Sequence, residues 1–363
     1  MNEFNKKQER IQEFLAEHKL DALLLHRVSS FAWATCGAAS YVNTATSTGE
    51  AMLLITYTEH HLITNNIEAT RLEGEEKLID QGWEFHVTPW YAVNGLVEKL
   101  AGKGRLGADV SYPGAVDLSG GIARVRANLS QFEVDRFREL GGLCAQAMDG
   151  AIHSVQPGQN EHEIAAIVAE EATSSGVQAI VNLVATDERV YRFRHPLPTD
   201  KKLDRYAMLV LCGRRWGLVC SITRFLHFGP MPDDLRHKAD AVAKIDAVFI
   251  DSTRPNRKLS EIFQEVVDAY EEVGYPEEWK QHHQGGPAGY EPREFVVTHT
   301  TEDEVKEGQV YAWNPSIKGT KSEDSVLVNE AGHEILTQID GWPVVSVEVS
   351  GRKFERPTIL EIR

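Results

Sequence analysis

Phe137, Leu140, Leu143, Cys144, Met148 and Ile152 recur at steps of three and four within residues 132–155, and this constrains the fold more than any other feature of the chain. That spacing puts the six side chains on one stripe, which predicts a long amphipathic helix laid against a core. Pro157-Gly158 ends it. Asn160, with Glu163 three residues on, predicts a capped second helix that runs to about residue 174, before Gly176. Apolar runs at 207–212 and 218–223 then read as strands. Helices follow near 232–249 and 259–273, and strands near 310–313, 325–329 and 334–337 add antiparallel sheet. Two helices, a strand pair, two more helices and a sheet form an α+β layout.

The amino-terminal part alternates differently. Ile11, Phe14 and Leu15 give a helix over 5–19, followed by strands at 22–25, 51–56 and 61–64 and a helix at 67–78, a small α/β unit. Gly102, Gly104, Gly107 and Tyr112-Pro113-Gly114 supply turn chemistry where periodicity is weak. The expected division is therefore residues 1–128 and 129–363, with the boundary near 125–132. Neither a tandem repeat nor a low-complexity tract interrupts this. Lysine and arginine number 38 against 54 aspartates and glutamates, and a net charge of −16 argues against a general binder of nucleic acid or anionic membrane. No stretch approaches the roughly 18 apolar residues of a membrane span, and the first residues lack the apolar core of a signal peptide. A cytoplasmic protein is expected. Cys36, Cys144, Cys212 and Cys220 include no C-x-x-C and read as reduced thiols.

Four segments carry a resemblance. They are Trp216-Gly217-Leu218 through Ser221-Ile222-Thr223-Arg224, His283-Gln284-Gly285-Gly286, Glu307-Gly308-Gln309-Val310 through Asn314-Pro315, and Lys321-Ser322-Glu323-Asp324-Ser325-Val326-Leu327-Val328. In order and separation they resemble the creatinase, prolidase and aminopeptidase P family. The resemblance implies a carboxy-terminal pita-bread domain, a smaller amino-terminal α/β domain, and a homodimer in which the small domain of one subunit closes the site of the other. It also implies five metal-ligand positions, Asp, Asp, His, Glu and Glu, which here read Val210, Ser221, His283, Asn314 and Glu323. Three carboxylates are replaced by groups without charge, so a two-metal centre would lack its bridges and its charge balance. The expectation is no metal and no other cofactor.

Creatinase, a member that works without metal, is the nearest mechanistic relative by this resemblance. Its proton-transferring His corresponds to His195 in Arg194-His195-Pro196, whereas two of its glutamates correspond to Thr223 and Asn314. Creatine itself is thus not the expected substrate.

Each candidate has a plainer reading beside the functional one. His195 can alternate between base and acid near neutrality, or be a loop histidine beside proline. His283 can orient or polarise substrate, or belong to a hydrogen-bonded turn. Tyr290 can donate to a developing negative charge or simply pack. Glu294 can serve a cationic group or form a solvated face. Glu323 is expected to take its countercharge from His283 or a substrate cation. Arg194 and Arg224, among several cations in these segments, can hold a carboxylate or pair with sheet neighbours. Asn314 is expected to position substrate or water, and Tyr41 and Asn43 to reach a partner subunit's site. Cys212 and Cys220 read as inert core thiols, with a nucleophilic cysteine beside His195 as the sharper option. Together these predict a hydrolase that cleaves a C–N or similar bond in a small carboxylate-bearing molecule, with His195 as general acid/base. The alternatives are an Xaa-Pro metallopeptidase with a single metal on His283, Glu323 and His195, a lyase, and a non-catalytic small-molecule binder on the same fold.

Overall fold

The computed structural model describes residues 2–92, 95–330 and 332–363. It divides into two compact units, the residues up to Arg126 together with Trp216–Leu218, and Ala127–Arg215 with Val219–Arg363.

The first unit is built on a six-stranded sheet. Helix α1 (Glu3–His18) buries Ile11, Phe14 and Leu15, and Asn2 caps it by accepting from the Asn5 amide at 2.9 Å. Then come β1 (Ala22–Arg27), α2 (Val28–Ala34), β2 (Thr48–Thr56), β3 (His60–Asn65), α3 (Ala69–Gly74), β4 (Glu84–Thr88), α4 (Leu96–Ala101), β5 (Leu106–Ala108), β6 (Val116–Asp117) and α5 (Ser119–Arg126). The strand order is β4-β3-β2-β1-β5-β6, and Ala22, Leu24, Leu54, Ile63 and Val97 fill one face. The helix expected over 67–78 is only α3. It stops at Gly74, Lys77 turns into the left-handed region at φ 54°, and the Leu78 amide returns to the Leu72 carbonyl.

The second unit opens with α6 (Gln131–Ser154) and α7 (Glu161–Ser174), the latter capped by Asn160 with Glu163 answering. Next are β7 (Gln178–Thr186), α8 (Glu188–Arg192), β8 (Tyr206–Arg215), β9 (Leu218–Phe228), α9 (Asp233–Ser252) and α10 (Leu259–Glu272). The remainder is β10 (Gly285–Ala288), β11 (Val310–Trp313), β12 (Ser316–Ile317), β13 (Thr320–Lys321), β14 (Asp324–Asn329), β15 (Gly332–Ile335), β16 (Val344–Val349), β17 (Arg352–Pro357) and β18 (Leu360–Ile362). One sheet runs β18-β9-β8-β7 and another β10-β11-β14-β15. The strand expected at 334–337 lies at β15 instead, because Thr337 turns inward to donate to Asp324 at 2.7 Å and accept from the Ser325 amide at 3.1 Å. Helices α9 and α10 bury Ile245, Phe249, Ile262 and Val266 with Tyr311 and Trp313 of β11. Among the described residues, no helix is long and apolar enough to cross a membrane.

Candidate active site

Strand β9 meets the second sheet edge to edge. The Ser221 amide donates to the Ser325 hydroxyl at 3.0 Å, the Thr223 amide to the Glu323 carbonyl at 3.2 Å, and the Val219 amide to the Gly289 carbonyl at 2.8 Å. This seam brings Ser221 and Thr223 beside Glu323. A cavity of ≈ 300 Å³ opens here, walled on its apolar side by Val181, Leu183 and Val210 and on its polar side by His195, His283, Arg293, Asn314, Lys321 and Glu323. That volume suits a small molecule.

Two imidazole-bearing segments reach it. The loop after α8 carries His195, and Glu161, fully buried at the start of α7, pins that loop on both sides. Its carboxylate accepts from the Thr186 amide at 2.8 Å, the Thr199 amide at 2.9 Å and the Thr199 hydroxyl at 2.7 Å, and it pairs with Arg189. The other segment leaves a 3₁₀ turn at Glu278–Gln281 and enters β10. Gln284 fixes it by accepting from the Tyr270 hydroxyl at 2.9 Å and donating to the His282 carbonyl at 2.7 Å. Gly285 has φ +103°, and a Cβ there would stand 2.2 Å from the Ala312 carbonyl oxygen, so only glycine lets β10 close against β11. The outcome is a cluster in which the Nε2 atoms of His195 and His282 lie 2.9 Å apart, with the His283 ring stacked on His282 at 4.5 Å.

Burial, then Lys321, holds His195 below the ordinary imidazole range. His282 falls further, to about 2, through burial, Lys321 and the two neighbouring histidines. His283 falls to about 4 through burial, Arg293 and His195. All three are therefore neutral near pH 7.

Glu323 is 3 % exposed and carries the decisive contacts. Its Oε1 accepts from the Arg293 guanidinium at 2.8 Å, and its Oε2 from the Lys321 ammonium at 2.7 Å and the Thr223 hydroxyl at 2.5 Å. Arg293 also donates to the Ser221 hydroxyl at 3.1 Å. Burial by itself would raise the Glu323 carboxyl, yet Lys321 and Arg293 hold it well below the usual carboxylate range. The countercharge expected from His283 or a substrate comes instead from these two cations. Lys321 shares a face with Glu323 because it lies two residues before it in extended chain, a spacing visible in the sequence. Nothing in the local pattern marks Arg293, which reaches Glu323 through a loop.

The remaining candidates scatter. Arg224 is buried with its guanidinium on Asp324 at 2.7 Å and on the Thr337 carbonyl at 3.0 Å, and Asp324 in turn joins Arg356 and, through it, Asp246. Arg224 is thus committed within a buried ion network, contrary to the carboxylate-holding role expected for it. Arg194 pairs with Glu278 beside the cavity. The buried Tyr290 donates its hydroxyl to Glu133 at 2.7 Å and its amide to Glu294 at 2.8 Å, so both act in a loop brace and neither lines the cavity. Asn314 does line it, 3 % exposed and with an Oδ1 lacking a hydrogen-bond partner. Cys212 lines it too, but burial and Glu323 push its thiol up to about 11, and its Sγ lies 3.3 Å from the Ser221 hydroxyl, which fits an inert thiol. Cys220 is buried, its Sγ 3.3 Å from the Ser325 hydroxyl. Tyr41 and Asn43 lie in the first unit, where Asn43 accepts from the Ala45 amide at 3.0 Å.

The description "Metallopeptidase family M24" matches residues 135–330, more than half of the chain, and "Creatinase/Prolidase N-terminal domain" matches residues 7–137. The chain belongs to metallopeptidase family M24. This family places it among the hydrolases and its second unit in the pita-bread fold. An uncharacterized peptidase of Staphylococcus epidermidis is 25 % identical over 237 residues, 62 % of this chain and 66 % of that relative. The match thus spans just under two thirds of that relative's length. The prolidase of Pyrococcus horikoshii superposes with a TM-score of 0.78 at 21 % identity, covering 92 % of this chain and 99 % of that one. The N-terminal domain of the FACT complex subunit SPT16 from chickpea gives 0.72 at 14 % identity, covering 93 % and 97 %. Likeness at these identities concerns the fold alone.

The metal pair implied by an M24 metallopeptidase does not fit these residues. Of its five ligand positions, Val210 has no donor, Ser221 accepts from Arg293 and Asn314 is uncharged; His283 and Glu323 keep the matching residues, but Glu323 already accepts from two cations. A dication placed there would meet Arg293 and Lys321 at close range.

Proposed function

We propose that this M24 chain is a metal-independent hydrolase of a small carboxylate-bearing substrate, in which Lys321 and Arg293 supply the positive charge that metal ions supply elsewhere in the family. The observation that carries this reading is the seating of both cations on the single buried carboxylate Glu323, one positive charge in surplus at the cavity wall. That surplus favours a substrate carboxylate or an oxyanion that develops during reaction. His195, neutral and backed by His282 at 2.9 Å, takes a proton from water as the new C–O bond forms. It returns that proton to the nitrogen as the C–N bond breaks. Asn314 and His283 orient the reacting groups. The reading carries with it a cytoplasmic homodimer in which Tyr41 and Asn43 complete the partner's site.

A second reading rests on a separate observation. The donor nitrogens of His195, His282 and His283 all lie within 4.8 Å of one another, a set that could hold one divalent ion and support Xaa-Pro peptide hydrolysis. The test is turnover of a panel of guanidino, N-acyl, imino-acid and Xaa-Pro substrates, with and without chelator, by the native chain and by His195→Gln. We expect chelator-resistant activity whose acid limb lies below the free-imidazole pKa of about 6.5 and which drops at least ~100-fold in the variant. An unimpaired variant removes the first reading. Activity abolished by chelator and restored by metal selects the second.

A further inference from the structure

A second group of metal-ligating side chains lies far along the chain from those residues, on the first unit's sheet. His61 of β3 is register partner to Glu84 of the parallel strand β4, and His86 follows Glu84 by two residues, so Glu84 and His86 share one face of an edge strand. The His61 Nδ1 stands 3.1 Å from Glu84 Oε2 and 3.0 Å from His86 Nε2, and His86 Nε2 stands 3.6 Å from Glu84 Oε1. Zinc bonds of about 2.0–2.1 Å at the tetrahedral angle set ligand atoms about 3.3 Å apart; the three approaches, two of them to different oxygens of Glu84, bracket that length, and one donor atom from each residue lies within 4.8 Å of the other two.

We propose that His61, Glu84 and His86 bind one borderline divalent cation of the zinc class, with water completing the tetrahedron. The surroundings support a ligand set rather than a chance contact. His61 is 3 % exposed, and its Nε2, with no hydrogen-bond partner, lies 3.4 Å from Glu59 Oε2. A carboxylate behind the non-ligating nitrogen of a metal-bound imidazole fixes its tautomer and strengthens it as a donor. Glu84 is mostly exposed, which leaves a route in from solvent. Glu59 and Glu84 together offset the two charges of the ion, with Lys99 as the opposing cation near His86. Two histidines and a carboxylate select zinc, nickel or copper over magnesium or calcium.

The test is titration of Zn2+ against a chromophoric chelator, using the full chain carrying His282→Ala and His283→Ala so that the other imidazole cluster is silent. One Zn2+ per chain is expected, weakened tenfold or more by adding His86→Gln or Glu84→Gln, both edge-strand changes. Should the double-alanine chain not fold, the Zn2+-dependent rise in Tm is compared between the native chain and His86→Gln, both of which keep the other imidazole cluster, and the variant should show a smaller rise; an equal rise overturns the assignment. Zn2+ uptake absent from the silenced chain, or unchanged by His86→Gln, overturns the assignment.

Discussion

At the scale of single residues, the site turns on a substitution of charge carriers. Where family M24 implies carboxylates gathered around dications, this chain has one carboxylate between two side-chain cations, Lys321 at 2.7 Å and Arg293 at 2.8 Å. Glu323 is buried and the Arg293 and Lys321 side chains are only 9 % and 7 % exposed, so removing one partner strands the others at a cost that an exposed pair would not carry. Lys321→Met leaves Glu323 to Arg293 alone and cancels the surplus charge. We expect KM for a carboxylate substrate to rise about 10–100-fold, the scale of one lost charge-assisted hydrogen bond, with kcat falling less. A KM unchanged beside an intact fold, read by circular dichroism, would assign Lys321 to structure only.

At the scale of elements, most of the second unit was legible because its signals are local. Phe137, Leu140, Cys144, Met148 and Ile152 of the stripe bury as a helix face with Leu143 half-buried beside them, Asn160 and Glu163 form the reciprocal cap, and β11 occupies the apolar run at 310–313. Strand β7 is marked by Ala179-Ile180-Val181 and Leu183-Val184, and the hairpin of β16 and β17 by the alternation Val345-Ser346-Val347-Glu348-Val349 before Ser350-Gly351, yet neither entered the sequence reading. The site was legible only in part. His195, His283, Asn314 and Glu323 converge on one cavity, as their motif positions imply. Arg224 went to Asp324, and Tyr290 to Glu133, because each met a buried carboxylate from a distant segment that no short-range spacing encodes. His282 and Arg293 entered the site for the same reason in reverse.

At the scale of the whole molecule, these choices set how folding responds to acid. His282 and His283 have folded pKa values depressed to about 2 and about 4, and Glu323 is depressed well below its usual range. The unfolded chain then binds more protons than the folded one. Stability from the two imidazoles is complete above their unfolded pKa of about 6.5 and is lost as pH falls toward their folded values; Glu323 adds its loss below about 4.3. A fully buried group such as Glu323 contributes a slope of up to about 1.4 kcal/mol per pH unit, and the exposed His283 ring contributes less because solvent screens it. Urea unfolding at pH 7 and pH 5 should show a clear drop in the native chain and a shallower one in His282→Gln/His283→Gln; equal drops would mean that these rings titrate alike in both states.

Which charges occupy the cavity beside Glu323 decides what chemistry the site can perform. Crystals soaked in millimolar Mn2+ and measured for anomalous scattering answer this directly, because Mn2+ is a hard ion suited to the carboxylate-rich family site. We predict no anomalous peak between Val210, Ser221, Asn314 and Glu323, with the Arg293 and Lys321 side chains defined on the Glu323 carboxylate. Two strong peaks in that space, with both cations turned away, would contradict it.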